Sequence, residues 1–192
     1  LRLSVMLLIL FLAFLLLAVP LLAGADDSDQ SILKTDDLDG DGGMEEYYLL
    51  GETLTVKKGE QELWKTPADW QIQTFSLGDV NNDGQAELVF SLWKKGSFGK
   101  IRPFWHTGKD DSYKNHLFVY KFEEDAFKPV WCSSDLDRPI LSIDILDIND
   151  DGLNELVVEE GQYQLPITFR SLAVWQWDQW GFFNMKDLSS AD

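Results

Sequence analysis

The chain has 192 residues, of which 45% are hydrophobic and 26% charged, a composition that supports one compact domain with its own core. Acidic residues (33) outnumber basic residues (16), and the resulting net charge of -17 excludes nucleic acid as a favoured partner, because phosphate backbones are repelled. Cys132 is the single cysteine, so no disulfide can form within the chain, and bound metal is a candidate cross-link instead.

The first segment has the features of a targeting signal. Arg2 precedes an apolar run over residues 3–22, and small residues follow it up to Ala25. The sequence predicts a signal peptide or a membrane anchor over residues 1–25, since cleavage after Ala25 suits a small-residue site and about 20 apolar residues also suffice to cross a bilayer. Residues 26–30 form a linker. Either alternative predicts a secreted or envelope-associated protein whose folded domain covers residues 31–192.

One nine-residue pattern, D-x-D/N-x-D-G-x-x-E, occurs three times and predicts an internal repeat. Its copies, called loops one, two and three below, span residues 37–45, 79–87 and 147–155. Alternating stretches at 71–78 and 139–146 precede the later copies, and apolar runs at 88–92 and 156–158 follow them. Both are strand signals, so each acidic loop is predicted to join two strands.

A hairpin pattern of two alternating segments around a polar turn follows each copy. The paired segments are 53–57 with 61–64, 116–122 with 127–131, and 172–177 with 180–183. The sequence therefore predicts an all-β fold, a propeller-like array of about three four-stranded antiparallel blades. Aromatic residues recur in these strands, and we interpret them as packing between blades. They are Trp64, Trp70, Trp131, Trp175, Trp177, Trp180, Phe182 and Phe183.

The acidic pattern has the chemistry of a cation site. Side-chain oxygens at its first, third and fifth positions can surround one ion, and the glycine that follows permits a sharp turn. Hard oxygen ligands in this number favour calcium over magnesium, whereas zinc or copper would require His or Cys. An EF-hand would need a glutamate where the copies have Tyr48, Phe90 and Val158. Metal-free Asp and Asn turns are the alternative, but carboxylates so close together repel one another without a cation.

The loops, their flanking strands and the repeat length resemble FG-GAP and VCBS-type repeats, the blades of integrin-alpha-like β-propellers. The resemblance implies a calcium ion (Ca2+) in the loop between the first two strands of each blade. The side-chain ligands that it implies are Asp37, Asp39, Asp41, Glu45, Asp79, Asn81, Asp83, Glu87, Asp147, Asn149, Asp151 and Glu155. The backbone carbonyls of Gly43, Gln85 and Leu153 are implied as further ligands.

Two features depart from that family pattern. Glu46 stands where the later copies have Leu88 and Leu156, which puts the register of the first repeat in doubt. Propellers also usually close with four to eight blades, and only three copies are present. The array is therefore open and unusually small, or a second copy of the chain or another partner completes it.

The second repeat carries a surplus of residues between Trp93 and His116. The surplus includes aromatic and cationic residues together with both histidines, and long loops on a rigid scaffold often bind ligands. The residues expected to contact a ligand are Arg102, Phe104, Trp105, His106 and Tyr113. An ordered flap over the end of the core is the alternative interpretation.

No motif of a known enzyme class is recognisable, since HExxH, GxSxG and P-loop patterns are missing from the sequence. The two histidines with Asp110 and Asp111 have no spacing typical of a metal or acid–base site. The predicted function is that of an exported, non-catalytic, calcium-binding module that binds protein or carbohydrate at the cell surface. The alternative is a calcium-stabilised hydrolase or lyase of cell-envelope polymers, which a cluster of His and carboxylates facing a cleft would favour.

Overall fold

The computed structural model of the chain describes residues 31–98, 104, 107–124 and 126–185. The apolar run at 3–22 and the linker, and with them the predicted signal peptide or anchor, lie outside these residues. Within the described ranges, no helix combines the length and the apolar character that crossing a membrane requires.

In the described residues, twelve β-strands form three antiparallel sheets of four strands each. The strands are β1 (Ile32–Asp36), β2 (Glu45–Leu50), β3 (Thr53–Lys58), β4 (Gln61–Lys65), β5 (Gln71–Gly78), β6 (Glu87–Lys95), β7 (Tyr113–Glu123), β8 (Ala126–Cys132), β9 (Ile140–Leu146), β10 (Glu155–Glu160), β11 (Ser171–Asp178) and β12 (Gly181–Asn184). Each sheet contains four strands that are consecutive in the chain. We call these sheets blades one, two and three. The prediction of three four-stranded antiparallel blades is confirmed.

Blade two lies between the other two blades and is buried on both faces. Its core with blade one consists of Tyr47, Leu49, Leu54, Val56, Ile72, Phe75, Leu88, Phe90, Leu92 and Phe118. Its core with blade three consists of Val80, Val89, Leu117, Val119, Ile140, Ile143, Leu156, Val158 and Ala173. Successive side chains of a strand point to opposite faces, so Phe90 enters the first core and Val89 the second. Burial on both faces explains why the part of β6 from Leu88 to Leu92 is apolar at every position except Ser91, rather than alternating.

The order in which the blades stack explains why Glu46 is polar where the other two repeats have leucine. The equivalent residues Leu88 and Leu156 are fully buried and face the preceding blade. No blade precedes blade one among the described residues, so Glu46 faces outward, where its Oε2 accepts a hydrogen bond of 2.5 Å from the Tyr48 hydroxyl. The register of the first repeat is regular, because Glu46 pairs with Thr35 on one side and with Lys57 on the other.

Among the described residues, blade three likewise has an uncovered face, the one that points away from blade two. Leu54 and Leu117 occupy equivalent positions in the first two blades, and both are fully buried against the next blade. Leu172 is their counterpart in blade three and is 65% exposed. Within the part of the chain that the structure describes, no sheet covers this face. The three blades thus form an open stack.

The interpretation of the aromatic residues is confirmed for most of the set. Trp64 and Trp70 pack against the first core, and Trp131, Trp175 and Phe182 pack against the second. It is wrong for one residue. Trp180 is 81% exposed and lies in the tight turn between β11 and β12.

The connection between β6 and β7 is shorter than the predicted surplus. The two strands extend into the surplus, and Trp93 pairs with Asn115 in a regular ladder. The connection proper therefore covers residues 96–112.

Candidate metal centre

The three acidic loops have the same backbone shape, and each joins the first two strands of its blade. In each loop the first aspartate accepts a hydrogen bond from the backbone N–H of the glycine at position six. These bonds are Gly42 to Asp37 (2.9 Å), Gly84 to Asp79 (2.8 Å) and Gly152 to Asp147 (2.8 Å). The three glycines have φ angles of 88°, 88° and 85°, a left-handed conformation that explains the requirement for glycine.

A buried glutamate closes each loop. Glu45, Glu87 and Glu155 are 1%, 0% and 0% exposed, and each accepts a hydrogen bond of 3.0 to 3.1 Å from the backbone N–H at the second loop position. Burial raises the pKa of Glu87 to about 7; the hydrogen bond from Val80 opposes this shift, and the charge of Asp83 adds to it. Because burying an ionised carboxylate without a counter-charge is costly, a cation in the loop would stabilise the ionised form.

The loops differ in how tightly their carboxylates converge. In loop one, oxygens of Asp37, Asp39, Asp41 and Glu45 all lie within 4.8 Å of one another. In loop two, the same is true of Asp79, Asp83 and Glu87. Either group could hold a metal ion. Among the described residues, the carboxylates of loop three, Asp147, Asp151 and Glu155, form no group this tight.

Loop one already contains a cation from the chain itself. The Lys58 ammonium lies 2.9 Å from Asp39 Oδ2, 2.7 Å from Asp41 Oδ1 and 2.8 Å from Glu45 Oε1. The hydrogen bond to Asp41 is the main reason why the pKa of Lys58 is raised, and the hydrogen bond from Lys58 lowers the pKa of Asp39. Lys58 also lies over Gly43, where a Cβ atom would be 2.6 Å from the lysine Cε near the end of this flexible side chain.

Lys58 was not among the residues predicted for the site. The position of Lys58 opposite a loop glutamate becomes evident only when the strand pairings of the three blades are compared. Glu46 pairs with Lys57, Leu88 with Tyr120 and Leu156 with Trp175, so the residues opposite the three loop glutamates are Lys58, Lys121 and Gln176. Lys121 instead forms an ion pair of 2.6 Å with Glu123. Only in loop one does a lysine reach the carboxylates among these three positions.

Asn81 and Asn149 direct their amide groups into loops two and three. Asn81 Nδ2 donates to Glu87 Oε1 at 2.8 Å and to Asp83 Oδ2 at 3.1 Å, and Asn149 Nδ2 donates to Asp151 Oδ2 at 3.0 Å. Their Oδ1 atoms accept the backbone N–H groups of Asp83 and Asp151. Metal ligation through Oδ1, as predicted, therefore requires each amide to turn over.

The fit to a hard divalent cation rests on the type of ligand and on one unsatisfied oxygen. The carboxylates that converge offer oxygen atoms alone, the ligand type that calcium prefers. Asp37 Oδ1 is buried without a hydrogen bond. The buried Glu45 Oε1, in contrast, has the Lys58 ammonium 2.8 Å away. Gly43, Gln85 and Leu153 donate their N–H groups to the fifth-position carboxylates at 2.7, 2.9 and 2.8 Å. Ligation by their carbonyls stays a prediction.

The predicted ligand-contacting residues fall into two groups. Arg102, Trp105 and His106 lie outside the described residues. Phe104 is 91% exposed, and Tyr113, the first residue of β7, is 44% exposed, so both have surface available to a ligand.

His116 lies in the interior of blade two. It is fully buried, and its Nε2 lies 3.6 Å from Asp135 Oδ1. Burial is the main cause that lowers the pKa of its imidazole. Asp110 instead accepts hydrogen bonds from the backbone N–H groups of Ser97 and Phe98 at 2.7 and 2.9 Å. The Ser97 hydroxyl in turn donates to Asp135 Oδ1, so His116 and Asp110 are connected through Asp135 and Ser97.

No model of a known protein family matches the chain, and no curated protein matches it either. The resemblance to FG-GAP and VCBS-type repeats therefore stays a prediction from the sequence pattern.

Proposed function

We propose that the chain is a calcium-binding β-repeat module that acts at the cell envelope and binds protein or carbohydrate without catalysing a reaction. The observation that carries this proposal is the convergence of carboxylates around a buried glutamate in loops one and two. The apolar run at residues 3–22 supports export. The relation to FG-GAP and VCBS-type repeats is part of the same proposal.

Loop two is the strongest of the proposed sites. Asp79, Asp83 and Glu87 would hold the ion, and burial raises the pKa of Glu87 to about 7. In loop one, calcium would have to displace the Lys58 ammonium from Asp39, Asp41 and Glu45. Bound calcium would supply positive charge that cross-links the first two strands of a blade.

Titration calorimetry on the purified full chain tests the calcium proposal, with magnesium as the comparison ion. Extracellular calcium modules bind at about 0.1 to 1 mM, so the titration must reach millimolar calcium. Calcium at ten times its dissociation constant would stabilise the fold by about 1.4 kcal/mol per site, because it binds the native state alone. The melting temperature should therefore fall when a chelator is added.

Glu87→Gln and Glu62→Gln provide a matched pair of variants. Glu87 lies in loop two, whereas Glu62 is an exposed residue of β4. We expect the first change to abolish calcium binding in loop two and the second to leave binding unchanged. The proposal is wrong if the wild-type chain gives no heat with calcium and its melting temperature is the same with and without chelator.

A further inference from the structure

We infer that a groove at the end of the blades opposite the acidic loops binds a neutral carbohydrate chain, an assignment that rests on the proposed binding function. The acidic loops join the first and second strands of each blade, so in antiparallel sheets the connections from second to third strands lie at the other end. A groove of about 520 Å³ lies there and takes residues from all three blades. Its volume is in the range of small-ligand sites, about 300–1,000 Å³.

An aromatic platform forms one part of the groove. Tyr113 stacks on Trp93 with ring centroids 5.8 Å apart and an interplanar angle of 20°. Because one face of Tyr113 is covered by this stack and the residue is still 44% exposed, its other face is available to solvent. Tyr163 meets Trp93 edge to face at 5.6 Å and 87°. The groove thus presents a flat apolar surface, the free face of Tyr113, whose orientation is held by the packing of Trp93 behind it.

Two glutamines beside this platform are oriented by the same aromatic residues. Gln73 Oε1 accepts a hydrogen bond of 3.2 Å from the Trp93 indole N–H, and Gln71 Oε1 accepts one from the Tyr113 hydroxyl. An indole nitrogen can only donate, so the Gln73 atom facing it must be the oxygen. The NH2 group of Gln73 is then available as a donor to a ligand. Gln71 and Gln73 both line the groove, and Gln73 lies at a β-bulge of β5, between Ile72 and Thr74.

The opposite wall of the groove is held by hydrogen bonds of its own. The Tyr163 hydroxyl donates to the Leu136 carbonyl at 2.6 Å and accepts from the Asn115 N–H at 3.3 Å. Gln162 Nε2 donates to the carbonyls of Gln164 at 3.1 Å and Pro166 at 3.0 Å. A site whose walls are fixed before binding loses less conformational entropy when the ligand arrives.

This combination matches the surface of a sugar ring. A pyranose offers an apolar C–H face to an aromatic ring, and its hydroxyl oxygens lie around the edge, where the glutamine amides can donate to them. Glu52 also lines the groove and can accept from a hydroxyl. An anionic glycan is disfavoured, because the net charge is -17 and the groove contains this carboxylate.

The test uses neutral oligosaccharides of six sugars as probes: cellohexaose, xylohexaose, maltohexaose and fully N-acetylated chitohexaose. Polygalacturonate is the anionic probe, and gelatin is the polypeptide probe. Binding to the full chain is followed by calorimetry and by tryptophan fluorescence, with calcium present and with chelator. We expect at least one neutral oligosaccharide to bind at millimolar concentration or below and to change the fluorescence.

Three variants locate the site. Tyr113→Ala removes the stacking face and should weaken binding about tenfold. Gln73→Ala removes one amide donor and should weaken it about fivefold. Tyr48→Ala changes a tyrosine on the outward face of blade one and should leave affinity unchanged. Each melting temperature is measured, and a variant that fails to fold is replaced by its milder counterpart, Tyr113→Leu or Gln73→Glu.

The outcomes separate the groove from the calcium loops. Absence of binding to all four neutral probes, binding of polygalacturonate or gelatin alone, or affinity that is indifferent to Tyr113 and Gln73 overturns the assignment. Calcium binding measured on the same samples is independent of these results. Calcium binding without sugar binding contradicts the groove assignment alone, whereas sugar binding without calcium binding contradicts the metal proposal.

Discussion

The loops of blades two and three are joined directly, and this junction permits a quantitative test. Asn82 Oδ1 accepts a hydrogen bond of 2.7 Å from the Asn154 backbone N–H, and Asn82 Nδ2 donates to the Asn154 carbonyl at 3.1 Å. Asn82 also has a φ of 60°, a left-handed conformation that asparagine tolerates better than alanine. We therefore predict that Asn82→Ala destabilises the fold through two separable effects.

The expected loss is about 3 kcal/mol. Two net hydrogen bonds contribute about 1 kcal/mol each, and alanine in the left-handed region adds about 1 kcal/mol. Asn82→Gly removes the same hydrogen bonds, but glycine adopts the left-handed conformation without strain. It should therefore cost about 2 kcal/mol. Asp150 occupies the same position in loop three, with a φ of 61° and an exposed side chain. Asp150→Gly should be within about 0.5 kcal/mol of the wild type, and Asp150→Ala should cost about 1 kcal/mol.

Urea unfolding of the four variants, followed by circular dichroism in calcium-free buffer, measures these differences. The midpoints should shift while the slope with denaturant stays constant, since the surface exposed on unfolding is unchanged. The difference between the two glycine variants isolates the junction, and the difference between alanine and glycine at each position isolates the backbone effect. Equal stability of Asn82→Gly and Asp150→Gly would refute the reasoning.

Three further predictions concern the loops and the buried histidine. Asp83→Ala and Asp151→Ala should each lower calcium-dependent thermal stability more than Asp41→Ala, because loops two and three each have three carboxylates among their predicted ligands, whereas loop one has four and the Lys58 ammonium; equal or reversed losses would contradict this order. Lys58→Met should strengthen calcium binding in loop one, measured by calorimetry as an added or tighter site, because it removes the competing cation. His116 is buried with a lowered pKa, so the unfolded chain binds the extra proton, and the free energy of unfolding should fall as the pH drops below about 6.5. Urea unfolding of His116→Gln over the same pH range should show a smaller fall; an unchanged pH dependence would exclude His116 as its source.

Strand positions were predictable because they depend on local alternation. The stretch at 71–78 coincides with β5, and each predicted hairpin differs from the observed one by a few residues at most. The position of Trp180 was not predictable in this way, since its exposure depends on which residues the neighbouring sheet covers. The outward orientation of Glu46 likewise depends on its position in the first blade of the stack.

The candidate site shows the same division. The aspartates of loops one and two were found from their spacing, because ligands in one tight turn are close in sequence. Lys58 lies 13 residues beyond Glu45 and contacts it because β2 pairs with β3. A local sequence pattern gives no information on such a pairing. The groove residues come from three blades and meet only after the blades stack. Long-range pairing therefore limited the prediction of the site more than ligand chemistry did.

The central place of blade two has a consequence for how the fold opens. In a stack where each repeat contacts only its neighbours, stability is a sum of the repeats and the interfaces between them. Blade one or blade three can detach by giving up a single interface, whereas blade two cannot unfold without giving up both cores. Amide protons of β6 and β7 should exchange with solvent only through complete unfolding, while those of the outer blades exchange through smaller openings. Because the three acidic loops lie at one end of the same stack, the two outer loops belong to the parts of the chain that open first.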